Sequence, residues 1–244
     1  MKKVILTLLA VAAILFVSCE KKPQPTPDPG PGPSPEPEPE PEPSYVAPVT
    51  IDGDFSDWAK IDASKMCIAN CATEPKWSAL KVLKVYMDDV YVFFYFEYDD
   101  AQIPDKSDVQ GHVYFDVDCD ESTGGCNNQW DPGCIEYMGE GHFFRNDAVA
   151  VFDPSISEWI GEVNAAGWEW ETVYASGSGI FNGAGGNGKY EMSLLRESFP
   201  ELGEEFGFGM DIQQAWNSVG VLPNAELTED NPTGKSKLMT VKKL

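Results

Sequence analysis

The chain has 244 residues, with 40 acidic against 17 basic side chains, a formal charge of −23 and 42% hydrophobic residues. That balance argues against nucleic acid or an anionic lipid surface as partner, since both are held by a positive face. It suits an exported domain long enough for one sizeable core, and it suits calcium, whose ligands are carboxylates.

Residues 1–18 open with Met1-Lys2-Lys3, continue as an apolar run from Val4 to Val17 and end in Ser18, directly before Cys19. A charged start, a short apolar core and a small residue before cysteine make a secretory signal, and the run is too short to favour a spanning helix. Phe16-Val17-Ser18-Cys19 resembles the lipobox of bacterial lipoproteins, with Phe16 at the usual leucine position as in Bacteroidetes-type versions. The resemblance implies cleavage before Cys19, acylation of that cysteine (palmitate) and a lipid-anchored place in the cell envelope, at the outer membrane or cell surface. Residues 19–44 then form a linker rich in proline and glutamate. Alternate prolines lack an amide hydrogen and fix φ, so this tract favours polyproline II and reaches ~65 Å when extended.

From Tyr45 the composition becomes that of a β protein, so residues 45–244 are expected to form one domain. β-branched and aromatic alternation predicts strands over 46–51, 79–87, 90–98, 111–118, 135–144, 148–152, 158–163, 168–174, 189–194, 206–212 and 237–241. Asp88-Asp89 supplies a hairpin turn, Arg196–Leu202 offers one short helical turn at best, and the Gly/Ser/Asn-rich 177–188 reads as a flexible loop. Many short strands with few helical signals predict an all-β fold, an antiparallel β-sandwich of jelly-roll character. Such a domain is expected to be a monomer.

Beyond Cys19 there are five cysteines: Cys67, Cys71, Cys119, Cys126 and Cys134. An odd number leaves at least one thiol free or pairing between chains. Cys67 and Cys71 bracket a short segment that reads as a turn, while Cys119, Cys126 and Cys134 flank a Gly/Asn-rich loop, and the pairing stays open. No Cys-x-x-Cys exists, so disulfides are expected ahead of zinc.

Ile51–Trp58 (IDGDFSDW) is followed by Asp88–Phe94 with Tyr98-Asp99-Asp100, by Val113–Gly124 (VYFDVDCDESTG), and by Lys189–Leu195 with Phe206–Ile212. In this order the blocks resemble the family 9 carbohydrate-binding modules and the wider DOMON-like β-sandwich superfamily, over roughly 48–243. The resemblance implies a sandwich whose ligand class is carbohydrate. The Cys-rich insertion 119–134 departs from the common pattern.

Two sets of side chains carry candidate chemistry. Asp116, Asp118 and Asp120 alternate towards a strand end, where converging carboxylates repel unless a hard cation bridges them. Calcium is expected there in a structural role, with the Thr123 carbonyl, Glu136 and Asp131 as further ligands. Flat indoles bind the apolar faces of sugar rings. Trp77, Trp130 and Trp216 sit in predicted loops and form the candidate platform, whereas Trp58 reads as structural. Trp168 and Trp170 share a strand face and must act together, as core or as platform. No Gly-x-Ser-x-Gly elbow is present, there are only two histidines, and no carboxylate pair stands out. The expectation is therefore a lipid-anchored, non-catalytic protein that binds polysaccharide or oligosaccharide. An envelope or adhesion module with a protein partner is the alternative, and a glycan-degrading enzyme ranks third.

Overall fold

A computed structural model describes residues 44–243. The expected secretory leader, the expected lipidation site Cys19 and the proline tract up to residue 43 lie outside the described residues. Residues from Val46 onward form one compact unit.

The first strands are β1 (Cys67–Asn70), β2 (Leu80–Met87), β3 (Tyr91–Tyr98), β4 (Asp108–Asp116) and β5 (Gly125–Cys126). They are followed by β6 (Cys134–Ile135), β7 (Tyr137–Arg145), β8 (Ala148–Val149), β9 (Ser155–Trp159) and β10 (Trp170–Tyr174). The chain closes with β11 (Phe181–Gly186), β12 (Lys189–Leu195), β13 (Glu205–Gln214), β14 (Asn217–Leu222) and β15 (Met239–Lys242). One sheet has the order β1-β2-β3-β12-β11, and the larger one runs β10-β9-β7-β4-β13-β14, with β15 on β13 and β8 on β7. All named strand pairings are antiparallel. The fold is the antiparallel β-sandwich that the alternation predicts.

The core is aromatic. Phe94, Phe96 and Tyr190 of the smaller sheet meet Phe143 and Phe208 of the larger, with Phe94–Phe208 rings 4.7 Å apart and Phe96–Phe143 5.0 Å apart. Each such side chain contributes ~1.5–3 kcal/mol by leaving water. The hairpin between β2 and β3 closes as its sequence suggests: the Asp88 carboxylate accepts from the amides of Val90 and Tyr91, both at 2.8 Å.

Several local expectations change. Residues 46–51 form no strand; Val49 and Ile51 pack instead with Trp58 on the outside of the smaller sheet. The supposed loop 177–188 contains β11, and its glycines have a packing reason. A Cβ on Gly183 would meet the Tyr190 hydroxyl at 2.5 Å and one on Gly185 the ring at 2.4 Å, so glycine lets that side chain lie on the strand. The predicted strand 111–118 begins at Asp108 and stops at Asp116, which puts Asp118 and Asp120 in the following loop.

The disulfide expectation is also corrected: all five described cysteines are free thiols. Cys67 opens β1 and Cys71 follows its end, so an extended backbone of ~3.3 Å per residue holds them ~13 Å apart, beyond the ~7 Å reach of a disulfide. Cys126 and Cys134 face each other across β5–β6, but the Cys134 sulfur lies 3.2 Å from the Glu121 carbonyl and 3.3 Å from the Asn164 amide oxygen, and its one hydrogen is donated to one of the two. Burial, then the nearby carboxylates of Asp116, Glu121 and Glu136, push that thiol up and keep it protonated.

Candidate functional site

The outer face of the larger sheet is built from alternate residues of its central strands. Ladder register aligns them in rows. Asp211 of β13 stands beside His112 of β4, which stands beside Glu140 of β7 and then Ser155 of β9. One row away, Tyr114, Met138, Ser157 and Thr172 follow each other across β4, β7, β9 and β10. On the opposite side run Gln213, Gln110 and His142. Their neighbours in sequence, such as Val113, Phe115 and Phe143, point into the core, as period-two alternation requires.

The middle row is polar and buried. Asp211 is 0% and His112 1% exposed. One Asp211 oxygen accepts from Gln213 at 2.7 Å, Ser218 at 2.8 Å and Gln129 at 3.2 Å. The other oxygen, Oδ1, has no hydrogen-bond partner among the described residues. Burial pushes the Asp211 carboxyl up to about 6 against the opposing pull of these donors. His112 Nε2 lies 3.0 Å from a Glu140 oxygen. A carboxylate only accepts, so Nε2 carries the proton, and this bond holds the Glu140 carboxyl below its ordinary value. His112 Nδ1 is likewise buried with no partner among the described residues. Leaving such atoms unfilled costs ~1–3 kcal/mol each, and proteins retain them where water or a ligand completes the bond.

Aromatic side chains wall this face. Trp168 is 66% exposed, and with the half-buried Trp170 it lines two adjoining cavities. The first, about 240 Å³, adds Tyr114, Asn127, Gln129 and Gln213; the second, about 190 Å³, adds Glu140, Ser157 and Thr172. Trp159 braces Trp170 edge-on at 5.1 Å. Trp216, 63% exposed on the β13–β14 turn, sits 6.4 Å from the His112 ring. Rings beside hydrogen-bonding side chains match the two-sided chemistry of a sugar, apolar C–H faces and polar hydroxyl edges.

Of the indoles chosen from sequence, Trp216 stands on this face. Trp130 lies on it too, but buried and not presented to water: it is 1% exposed, lies edge-on to Tyr114 at 5.4 Å, and donates to the Pro223 carbonyl at 2.9 Å. Gly209 makes room for it, since a Cβ there would meet the indole at 2.5 Å. Trp130 therefore anchors the insertion 119–134 onto β13, and the insertion in turn delivers Asn127 and Gln129 to the cavity. Trp77 is half-buried against the same cluster, with the Lys76 ammonium 4.0 Å over its ring. Trp168 and Trp170, which share a strand face in the sequence, line the cavities and not the core between the sheets. The polar rows of β4, β7 and β13 were not selected from sequence, although His112, Glu140 and Asp211 are conspicuous as polar residues inside strongly β-forming runs.

The acidic loop forms a second candidate site. Asp116 at the end of β4, Asp118 in the loop and Glu136 before β7 each offer an oxygen, all within 4.8 Å of one another. Burial first, and then neighbouring charge, raises the Asp116 and Glu136 carboxyls. The Thr123 hydroxyl lies 3.1 Å from Asp118 and 2.9 Å from Glu136, so the side chain rather than the expected carbonyl reaches the cluster. A single hydroxyl hydrogen serves only one of these acceptors. Asp120 stands apart, capping the turn by accepting from the Ser122 amide at 2.9 Å and hydroxyl at 2.7 Å. The donors are hard oxygens, the type that calcium takes.

No protein-family model matches this chain, and no curated protein matches it. No helix among the described residues is long and apolar enough to cross a membrane.

Proposed function

We propose that this domain binds carbohydrate without catalysis on the outer face of the larger sheet. The observation that carries the reading is the exposed indole of Trp168, with Trp170, set directly against the polar rows of β4, β7 and β13. Binding is favoured over hydrolysis by the state of the carboxylates. Asp211 is enclosed by three side-chain donors and Glu140 is engaged by His112, so neither stands free across a cleft as a glycosidase pair must.

Structural calcium at Asp116, Asp118 and Glu136 belongs to the same proposal. So does a lipid anchor at Cys19 with the proline tract as spacer, which would hold the domain at the outer membrane or cell surface.

Affinity electrophoresis against plant, host and microbial glycans tests the reading. Retardation by at least one glycan is expected, reduced about tenfold in affinity by Trp168→Ala, the loss of a central aromatic contact. A protein partner is the competing reading, favoured by the exposed Ile160 and Val163 of the segment between β9 and β10. Uniform indifference to every glycan would reject the carbohydrate reading and leave that one.

A further inference from the structure

A cavity of about 490 Å³ is lined from the larger sheet by His142 and Arg145 of β7 and from the smaller by Phe181 of β11. Val151 and Asp153, ahead of β9, and Ser176, ahead of β11, complete its wall, and it shares no lining residue with the cavities at Trp168. Arg145 reaches this wall through an irregularity of β7. Phe144 pairs with Val109 but His142 with Gln110, so β7 holds one residue more than β4 over this step. Phe143 and Phe144 accordingly both enter the core, and Arg145 returns to the side of His142, whose Nδ1 its Nη2 meets at 2.7 Å. Asn146 and Asp147 then turn the chain at φ 50° and 62°, a left-handed conformation that such side chains tolerate, and Arg145 pairs with Ala148 across the turn. A guanidinium only donates, so His142 Nδ1 accepts, and that imidazole is neutral and leaves the arginine charge uncompensated.

The chain has two arginines, Arg145 and Arg196, and they are used differently. Arg196 serves the fold: it donates to the carbonyls of Asp88 and Gly203 and pairs with Glu204 at 2.9 Å. Arg145 has no carboxylate partner among the described side chains, in a protein with 40 acidic residues. Asp153 lines the same cavity without pairing with it, and its Oδ1 is buried with no hydrogen-bond partner among the described residues. A guanidinium and a carboxylate that share one cavity unpaired leave each to a complementary group on a third molecule. We propose that this cavity binds a small acid. Its carboxylate is taken by the Arg145 donors that His142 leaves over, a hydroxyl or ammonium group beside it donates to Asp153, and its C–H surface lies on Phe181 and Val151. An acidic sugar and an amino acid share that chemistry. The site is separate from the glycan face and does not rest on the carbohydrate reading. The acidic protein repels anions as a class, so a bare anion gains little here and the second contact, at Asp153, is what holds the acid.

The test is calorimetric titration of the full chain with galacturonate, glucuronate, sialate, glutamate and alanine. Galactose, glucose and alaninamide serve as probes without the carboxylate, and acetate as one without the donor. At least one acid is expected to bind, at least about tenfold more tightly than its counterpart without the carboxylate and than acetate, and the sugar and amino-acid arms tell which source fits. Arg145→Ala and Asp153→Asn are each expected to lower that affinity about tenfold or more. Arg145→Lys is expected to fall between, since an ammonium keeps the charge without the planar fork. Arg145 is exposed, so the melting temperature of its variants is expected to stay at the parent value. Equal affinity for an acid and its neutral counterpart, an Arg145→Ala variant that binds as the parent does, or no heat with any of the acids would overturn the proposal.

Discussion

The two outer faces of this sandwich solve the same problem in opposite ways. Each carries a buried carboxylate in the middle of a sheet. On the smaller sheet, Glu191 is 0% exposed and receives the Trp58 indole at 3.0 Å and the amides of Asp52 and Gly53 at 3.0 and 2.8 Å. Residues 49–66 lie over that face, with Val49, Phe55 and Trp58 packed on Phe93 and Tyr95. On the larger sheet, the three side-chain donors to Asp211 share one oxygen, and the aromatic side chains around it stand exposed at the rim. A face closed by its own chain needs no ligand. A face that keeps indoles in water is the one the proposal assigns to a ligand.

The sharpest way to break this contrast is at the anchor of the insertion. Trp130→Ala should cost about 3–5 kcal/mol, read as a lowered denaturation midpoint, because it empties the space over Gly209. It should also weaken glycan binding by releasing Asn127 and Gln129. The next effect is electrostatic. The folded Asp211 carboxyl titrates near about 6 against an ordinary 3.8, so the folded state holds that proton more tightly. Its contribution to stability is fully present below 3.8 and is lost as pH rises through about 6. Asp211→Asn cannot titrate. The stability of the wild type relative to this variant should therefore fall with rising pH across that window, by on the order of 3 kcal/mol in paired melting curves. A flat difference would mean that the carboxylate is solvated.

On the closed face, Trp58→Phe should cost about 1–3 kcal/mol by leaving one Glu191 oxygen without its donor, and should leave glycan affinity unchanged. Of comparable size, calcium at a hundredfold above its dissociation constant should stabilise the domain by about 2.7 kcal/mol, and Asp118→Asn should abolish the shift in Tm. No calcium-dependent shift would confine Asp116, Asp118 and Glu136 to a solvated turn.

Sequence made the architecture legible because period-two alternation reports a strand's two faces directly. It also picked out the Ile51–Trp58 block, whose local turn and indole depend on neighbouring residues. What it missed depends on register and on long-range packing. Tyr190 packs on Gly183 and Gly185 only once β11 and β12 pair in register, so the glycine-rich segment does not read as a strand from its own composition. Trp130 looks like a loop aromatic until Gly209, far along the chain, is placed beneath it. The Asp211–His112–Glu140 row exists only once β13, β4 and β7 are set side by side, since each strand contributes a single polar residue whose neighbours in the row lie far along the chain. Asp120 alternates with Asp116 and Asp118 in sequence, but the strand ends at Asp116 and alternation no longer governs direction.

The most direct measurement is the indole N–H spectrum of the seven tryptophans, recorded by NMR during titration with a glycan that the domain retains. The account predicts that the signals of Trp168, Trp170 and Trp216 move together, while Trp58, held by Glu191 under the closed face, stays where it is. Movement of Trp58 with Trp168 and Trp170 unperturbed would place the ligand on the other sheet and contradict the account.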